Sequence, residues 1–162
     1  KLCRWQLGET VPEGDSFSVA EDKLVYNLHK KLISFEPYLD GIEIRKSASE
    51  LRELWALGND YLQIVGPLSC FKENPIKAAM QIRLALNLIR IYAVISAPFI
   101  PDTADAILKS LKISDKSWPT DLTKAVTKLA PGNPFVTPEN LFNKISDEDR
   151  DLWALKFSGN DT

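Results

Sequence analysis

Two long amphipathic segments, separated by Gly66 and Pro67, constrain the fold of this chain most strongly. In the first, over residues 43–65, apolar side chains recur every three or four positions, which is the spacing of one face of an α-helix. The second, over residues 75–98, carries two such apolar stripes. A helix that is apolar on two sides is covered by neighbours on both. The sequence therefore predicts that the second segment is the central helix of a helical domain.

Further helices are predicted on either side of this pair. Ser18 and Glu21 have the spacing of a capping box, which begins a helix, and Pro37 is expected to end that helix. Shorter helices are expected to begin at Pro101 and at Ser146. No segment shows the alternating pattern of a strand. The predicted fold class is all-α, an antiparallel helical bundle of about five helices with an irregular C-terminal tail.

Residues 1–7 have the pattern of a helix end that no capping residue precedes. We therefore expect the chain to be part of a larger protein, with its first helix truncated at the start. Cys3 and Cys70 have neither metal-site spacing nor a disulfide framework, so two reduced thiols are expected. His29 is the only histidine, and it has no partner pattern for a catalytic triad or a zinc site. The sequence predicts no catalytic residue and no metal site in this chain.

Charge and hydropathy limit the kinds of partner that this chain is expected to bind. The net charge is −2, whereas proteins that wrap nucleic acid generally carry a basic excess. Any basic surface must be local, and residues 72–90 hold four cations and one acid. Arg83 and Arg90 either form such a basic edge or pair with acids on a neighbouring helix, and we favour the pairing. No apolar run approaches the roughly 20 residues that cross a membrane, so no membrane partner is expected.

Short motifs along the chain have a characteristic order. An Asn-x-Tyr at residues 59–61 is followed by Pro67-Leu68 and Lys72, and the next long segment ends in Pro-Phe-Ile-Pro at 98–101. Val-Pro-Glu-Gly occurs at 11–14 and Leu-Phe-Asn-Lys-Ile at 141–145. In this order and spacing the chain resembles the helical anticodon-binding domain of bacterial-type methionyl-tRNA synthetases. The family has tryptophan where this chain has Leu68.

The resemblance implies a function without bond chemistry in this chain. The bundle would hold the anticodon arm of tRNA(Met), while a catalytic domain outside this chain would bind ATP and methionine and load the tRNA in the cytoplasm. This chain itself would bind no cofactor. We expect the bundle over residues 1–130 and, over 131–162, a tail that packs back on the bundle or on the catalytic domain. That packing would bury Phe135, Phe142 and Trp153.

The same resemblance implies which residues contact tRNA, although each has a structural alternative. Asn59 either holds RNA or caps a helix end, Tyr61 either stacks on a base or packs in the core, and Lys72 either binds a phosphate or is simply solvated. The family's two other anticodon-reading residues would fall before Lys1. An alternative function is a degenerate synthetase-like module for protein–protein interaction that no longer reads tRNA. The residues implied in tRNA binding are Asn59, Tyr61, Pro67, Leu68, Lys72, Arg4 and Trp5.

Overall fold

The computed structural model describes residues 8–138 and 140–159, and this part of the chain is helical apart from its loops. One isolated bridge, between Thr10 and Pro134, is the only β-type pairing there. The all-α prediction is confirmed. Residues 1–7, including Cys3, Arg4 and Trp5, lie outside the described residues. The helices are α1 Val19–Asp40, α2 Ile44–Val65, α3 Pro67–Glu73, α4 Pro75–Ser96, α5 Pro101–Ser110, the single turn α6 Leu122–Ala125 and α7 Asp147–Phe157.

The first helix begins where the capping box predicts and ends later than expected. The Ser18 backbone N–H donates to the Glu21 carboxylate, 2.9 Å away, which completes the reciprocal capping box. Pro37, expected to end the helix, lies inside it. Proline removes the hydrogen bond that its own N–H would donate, and its ring crowds the carbonyl four residues earlier, but neither effect prevents the residues that follow from bonding to it. Its carbonyl still accepts from the Gly41 N–H at 3.0 Å, so the helix continues to Asp40.

The break between the two long helices contains a short helix that was not predicted. Gly66 ends α2 with a left-handed backbone at φ 50°, a conformation that glycine adopts at little cost. Pro67 then opens α3, because its fixed φ suits a first helical position. Seven residues are too few to display a hydrophobic period, so the sequence pattern could not distinguish α3 from a loop.

The central position of α4 is confirmed. Most of its residues are buried, since it contacts α2, α3 and α5. Ile76 and Ile89, which have the spacing of the two predicted apolar stripes, are nevertheless exposed. The expectation that no apolar segment approaches the length of a membrane span was wrong for this helix, which is long and apolar enough by composition alone, but most of it is buried inside the bundle. A core helix passes the same test, so this property does not indicate a membrane span.

The loop before α1 and the start of the tail pack together against α4 and α5. Gly14 has φ 69°, and a side chain there would lie 2.2 Å from the Met80 backbone nitrogen. Phe135 is buried in a cluster with Val11, and its N–H donates to the Glu9 carbonyl at 2.9 Å. The tail thus joins the bundle through Phe135.

The large apolar side chains later in the tail, unlike Phe135, are not buried. Phe142, Trp153 and the other large apolar side chains of α7 and the segment before it are exposed. Among the described residues, none of α7 is buried. The predicted burial of Phe142 and Trp153 therefore requires a surface outside the described residues, and it stays a prediction.

Candidate nucleic-acid interface

The predicted RNA-contacting residues Pro67, Leu68 and Lys72 all lie on α3. Leu68 is 58% exposed and Lys72 is exposed, whereas Pro67 is partly buried at the start of the helix. Leu68 and Lys72 are four residues apart, so they project from the same side of the helix. The structure therefore brings an apolar side chain and a cation together on one exposed face. We call this pair the α3 face.

The surroundings of the α3 face supply further apolar and cationic groups. Ile64, in the last turn of α2, and Ile76, in the first turn of α4, are both largely exposed. Lys77 is also exposed, and its backbone N–H donates to the Asn74 side chain that caps α4. Neither Lys72 nor Lys77 has an ion-pair partner among the described residues. Both ammonium groups are consequently free to contact a phosphate.

Asn59 lies inside α2 and faces solvent. Its side chain makes no hydrogen bond to the part of the chain that the structure describes, so the alternative that it caps the helix end is wrong. Asn59 lies six positions before Val65, the last residue of α2, or roughly 9 Å along that helix. Asn59 is therefore an exposed polar group within reach of a ligand that also covers the α3 face.

Of the two alternatives for Tyr61, the structure supports packing in the core over stacking on a base. Its side chain is 7% exposed, and its hydroxyl donates to Glu21 Oε1 at 2.6 Å. An RNA base cannot stack on a ring that the bundle already covers. The hydrogen bond instead ties α2 to the first turn of α1. The implied contact of Tyr61 with tRNA is therefore corrected to core packing.

The Glu21 carboxylate is the buried centre of this contact. Burial by itself would raise the pKa of Glu21, but hydrogen bonds from Ser18 and Tyr61 outweigh burial and lower it. Burial and the adjacent Glu21 charge raise the pKa of Tyr61. Sequence reasoning identified Glu21 only as a capping residue. Its second partner is 40 positions away and could not be inferred from local spacing.

The two arginines of α4 contribute little to an exposed basic face. Arg83 donates from Nη2 to the Asp15 carbonyl at 2.7 Å and from Nη1 to the Glu13 carbonyl. Arg90 is buried and donates from Nη2 to the Ala125 carbonyl at 3.0 Å. The favoured prediction that they pair with acids was wrong, because both bind backbone carbonyls. The exposed cations of residues 72–90 are Lys72 and Lys77.

Other potentially reactive groups do not form a site within the described residues. No group of three or more His, Cys, Asp or Glu side chains could hold a metal ion there. Cys70, on α3, is a free thiol that is half-buried. His29 is also half-buried, on α1. The α3 face with Asn59 therefore remains the candidate binding surface, while predicted contacts Arg4 and Trp5 lie outside the described residues.

Comparison with known proteins relates this chain to a family. A family model for the anticodon binding domain of methionyl tRNA ligase matches residues 11–162. The methionine–tRNA ligase of Paracoccus denitrificans is 50% identical over 159 residues, which are 98% of this chain and 28% of that protein. The ligase of Ruegeria pomeroyi is 49% identical with the same coverage. This chain thus spans 28% of the length of these curated relatives.

Solved structures support the same relationship at the level of the fold. The apo form of Mycobacterium tuberculosis methionyl-tRNA synthetase superposes with a TM-score of 0.76 at 19% identity, covering 90% of this chain and 30% of that one. The same enzyme with methionyl-adenylate gives a TM-score of 0.74 at 17% identity, covering 88% and 29%. The family match covers nearly the whole chain, and the chain belongs to the family of anticodon-binding domains of methionyl-tRNA ligases.

Proposed function

We propose that this domain holds the anticodon arm of tRNA(Met) within a methionine–tRNA ligase. The observation that carries the proposal is the family match over residues 11–162. The exposed α3 face supports it, because an apolar group beside a free ammonium suits a base and its neighbouring phosphate. The domain's contribution is then positional: it fixes the tRNA so that the distant acceptor end reaches the reaction centre.

The chemistry belongs to another part of the same protein in this proposal. A catalytic domain would bind ATP and methionine and carry out aminoacylation in the cytoplasm, and no cofactor would bind to this chain. The exposed apolar side chains of α7, including Trp153 and Leu155, would pack against that catalytic domain. The packing of α7 would then connect this domain to the catalytic domain, in addition to the covalent link along the polypeptide.

Leu68 favours a second candidate function. Stacking of an aromatic side chain on an unpaired base contributes about 1–3 kcal/mol, and leucine lacks the flat π-face that this requires. With Tyr61 buried as well, the described part of this surface offers no aromatic ring from the predicted contacts. Loss of base stacking is the expected state of a synthetase-like module that has turned to protein–protein interaction.

The two candidate functions are distinguished by measuring the binding of initiator tRNA(Met) to the protein that carries this chain. Affinity is measured across a salt series for wild type, Leu68→Trp, Lys72→Met and the control Lys23→Met, which removes an exposed cation at the start of α1. We expect Leu68→Trp to bind about tenfold more tightly, in keeping with one added stacking contact. Lys72→Met should bind more weakly and reduce the salt dependence by about one counterion.

Each outcome decides between the candidates. Equal effects of Lys72→Met and Lys23→Met would remove the α3 face from the interface, although the domain could still bind tRNA elsewhere. Absence of tRNA binding by every variant, in protein that is folded by circular dichroism, would refute the anticodon-arm proposal and support the interaction module.

A further inference from the structure

A pocket of about 390 Å³ lies between α4, α6 and the segment that precedes α6. It is remote from the α3 face: Arg90, in its lining, lies 18 residues after Lys72, and most of that interval is α4. Within α4 itself, the 15 positions from Pro75 to Arg90 span roughly 22 Å. The proposed anticodon-arm contact therefore does not account for this pocket.

Arg90 is the buried charged group of the pocket. It is 1% exposed, and its Nε has no hydrogen-bond partner among the described residues. No carboxylate of the described chain forms an ion pair with it. Burial lowers the pKa of Arg90, and the negative charge of Asp115 opposes that effect. An arginine nevertheless stays protonated in proteins, so the bundle keeps a buried positive charge that is unfavourable without a counter-charge.

The charges around Arg90 leave a positive excess. Lys124 pairs with Asp121 at 3.3 Å, and Lys128 pairs with Asp115. Each of these lysines is therefore balanced by one acid, while Arg90 has none. The remaining positive charge lies at the base of the pocket, and the more exposed lysines stand at its mouth. Such an arrangement attracts an anion from solution or from a partner.

We propose that this pocket binds a phosphate group. The donors come from three parts of the chain. Arg90 is on α4, while Lys124 is on α6 and Lys128 lies just after it. The hydroxyls of Ser117 and Thr120 belong to the segment before α6. The tetrahedral oxygens of a phosphate accept hydrogen bonds from several directions, whereas a carboxylate accepts mainly within one plane. A phosphodiester also carries the single negative charge that would balance Arg90.

Two sources could supply this group: free inorganic phosphate and the phosphodiester backbone of a bound tRNA. The phosphate site does not rest on the proposed function, but its RNA source does. Titration calorimetry with inorganic phosphate, at an ionic strength held constant with chloride, tests the first source. Competition with tRNA(Met) tests the second. Both use the full protein that carries this chain.

The variants separate a specific site from general charge. Lys124→Met and Lys128→Met should each weaken phosphate binding about tenfold, the expected effect of one lost charged hydrogen bond. Lys109→Met removes an exposed cation of α5 and should change nothing. Asp121→Asn should tighten binding, because it removes the acid that competes for Lys124 while its side-chain oxygen can still cap α6. Arg90→Met should abolish phosphate binding. If this variant does not fold, the two lysine variants test whether the pocket binds phosphate.

The outcomes remain distinguishable from those of the proposed function. Weaker tRNA binding by Lys124→Met than by Lys109→Met would assign the site to the RNA backbone. Phosphate binding that depends on Lys124, with no such change for tRNA, would assign it to a small phosphate-bearing ligand. The proposal is overturned if wild type does not bind phosphate saturably and the pocket variants bind tRNA as well as Lys109→Met does, even if Lys72→Met confirms the α3 face.

Discussion

The helices α4 and α7 carry similar kinds of apolar side chain and have opposite environments. In α4, Leu84 and Ile95 are fully buried between neighbouring helices, whereas Leu155 of α7 is 81% exposed. The difference teaches that apolar residues stabilise only where other elements cover them, because the gain comes from area removed from water. The bundle around α4 supplies its own cover, and α7 does not obtain cover from the described bundle.

The largest effect is expected for a matched pair of leucine truncations, one in each helix. Leu84→Ala leaves a cavity in the core of the bundle and should lower the free energy of unfolding by about 3 kcal/mol. Leu155→Ala removes an exposed side chain and should change it by less than about 0.5 kcal/mol. Urea unfolding followed by circular dichroism measures both. A loss above about 1 kcal/mol for Leu155→Ala would mean that α7 packs on the bundle.

A smaller loss is expected from the buried polar contact between α1 and α2. Tyr61→Phe removes the hydroxyl that donates to Glu21 and leaves a buried carboxylate short of one donor. We expect the free energy of unfolding to fall by about 1–3 kcal/mol. The control Tyr26→Phe removes an exposed hydroxyl and should have no measurable effect in the same unfolding experiment. Equal stabilities for the two variants would show that the Glu21 contact contributes nothing.

The hydrogen bond between Tyr61 and Glu21 predicts that the free energy of unfolding of the bundle depends on pH. No such dependence is expected from α7. The pKa of Glu21 is lower in the folded state than its ordinary value, so its contribution is fully present above the unfolded-state pKa. That contribution is lost as the pH falls through the folded-state pKa. In urea midpoints measured from pH 7 down to acid, Glu21→Gln should lose less stability than wild type. Parallel curves for the two proteins would contradict the assignment.

A gain in bundle stability is expected at the turn between α1 and α2. Ile42 has φ 57°, and this left-handed conformation costs a side chain of its kind about 1–2 kcal/mol. Ile42→Gly relieves that strain but loses more chain entropy, so we expect a net gain of about 0.5–1 kcal/mol. Ile44→Gly, at the first position of α2, is the control and should be neutral or destabilising. A loss with Ile42→Gly would mean that exposed Ile42 stabilises the turn.

Amide hydrogen exchange in α7 tests the contrast between α4 and α7 most directly. It is also the prediction with the smallest effect on the bundle. Its amides should exchange much faster than those of α4 in this chain, because exposed helices open locally at low cost. If α7 packs on a catalytic domain as proposed, its amides become protected in the longer protein, and Trp153→Ser reverses that protection. Protection of α7 in this chain alone would show that the bundle covers it.

Local chemistry explains which elements could be predicted. A capping box, a proline at a first helical position and a left-handed glycine each act within a few residues, so the starts of α1, α4 and α5 and the end of α2 followed from the sequence. Pro37 was misjudged because a proline disturbs the turn that precedes it, while its own carbonyl can still accept from the Gly41 N–H and continue the helix. The short helix α3 was missed because it lacks a readable period.

The candidate site could be predicted only in part from the sequence. Motif order pointed to Leu68 and Lys72, and both are exposed on one face of α3. Tyr61 belongs to the same motif, yet its ring is covered and its hydroxyl is bound to Glu21. Sequence spacing places a residue on a helix face, but the neighbouring helix decides whether that face meets solvent.

By itself, the sequence determined the helical fold class, the central position of α4 and the family resemblance, because periodicity and turn chemistry are local. Only the tertiary structure decided the roles of Tyr61, Arg83 and Arg90, whose partners lie 35 to 70 positions away. It also separated the exposed apolar face of α7 from the buried stripes of α4. Burial and long-range hydrogen bonds depend on which surfaces meet in space, and no local pattern records that.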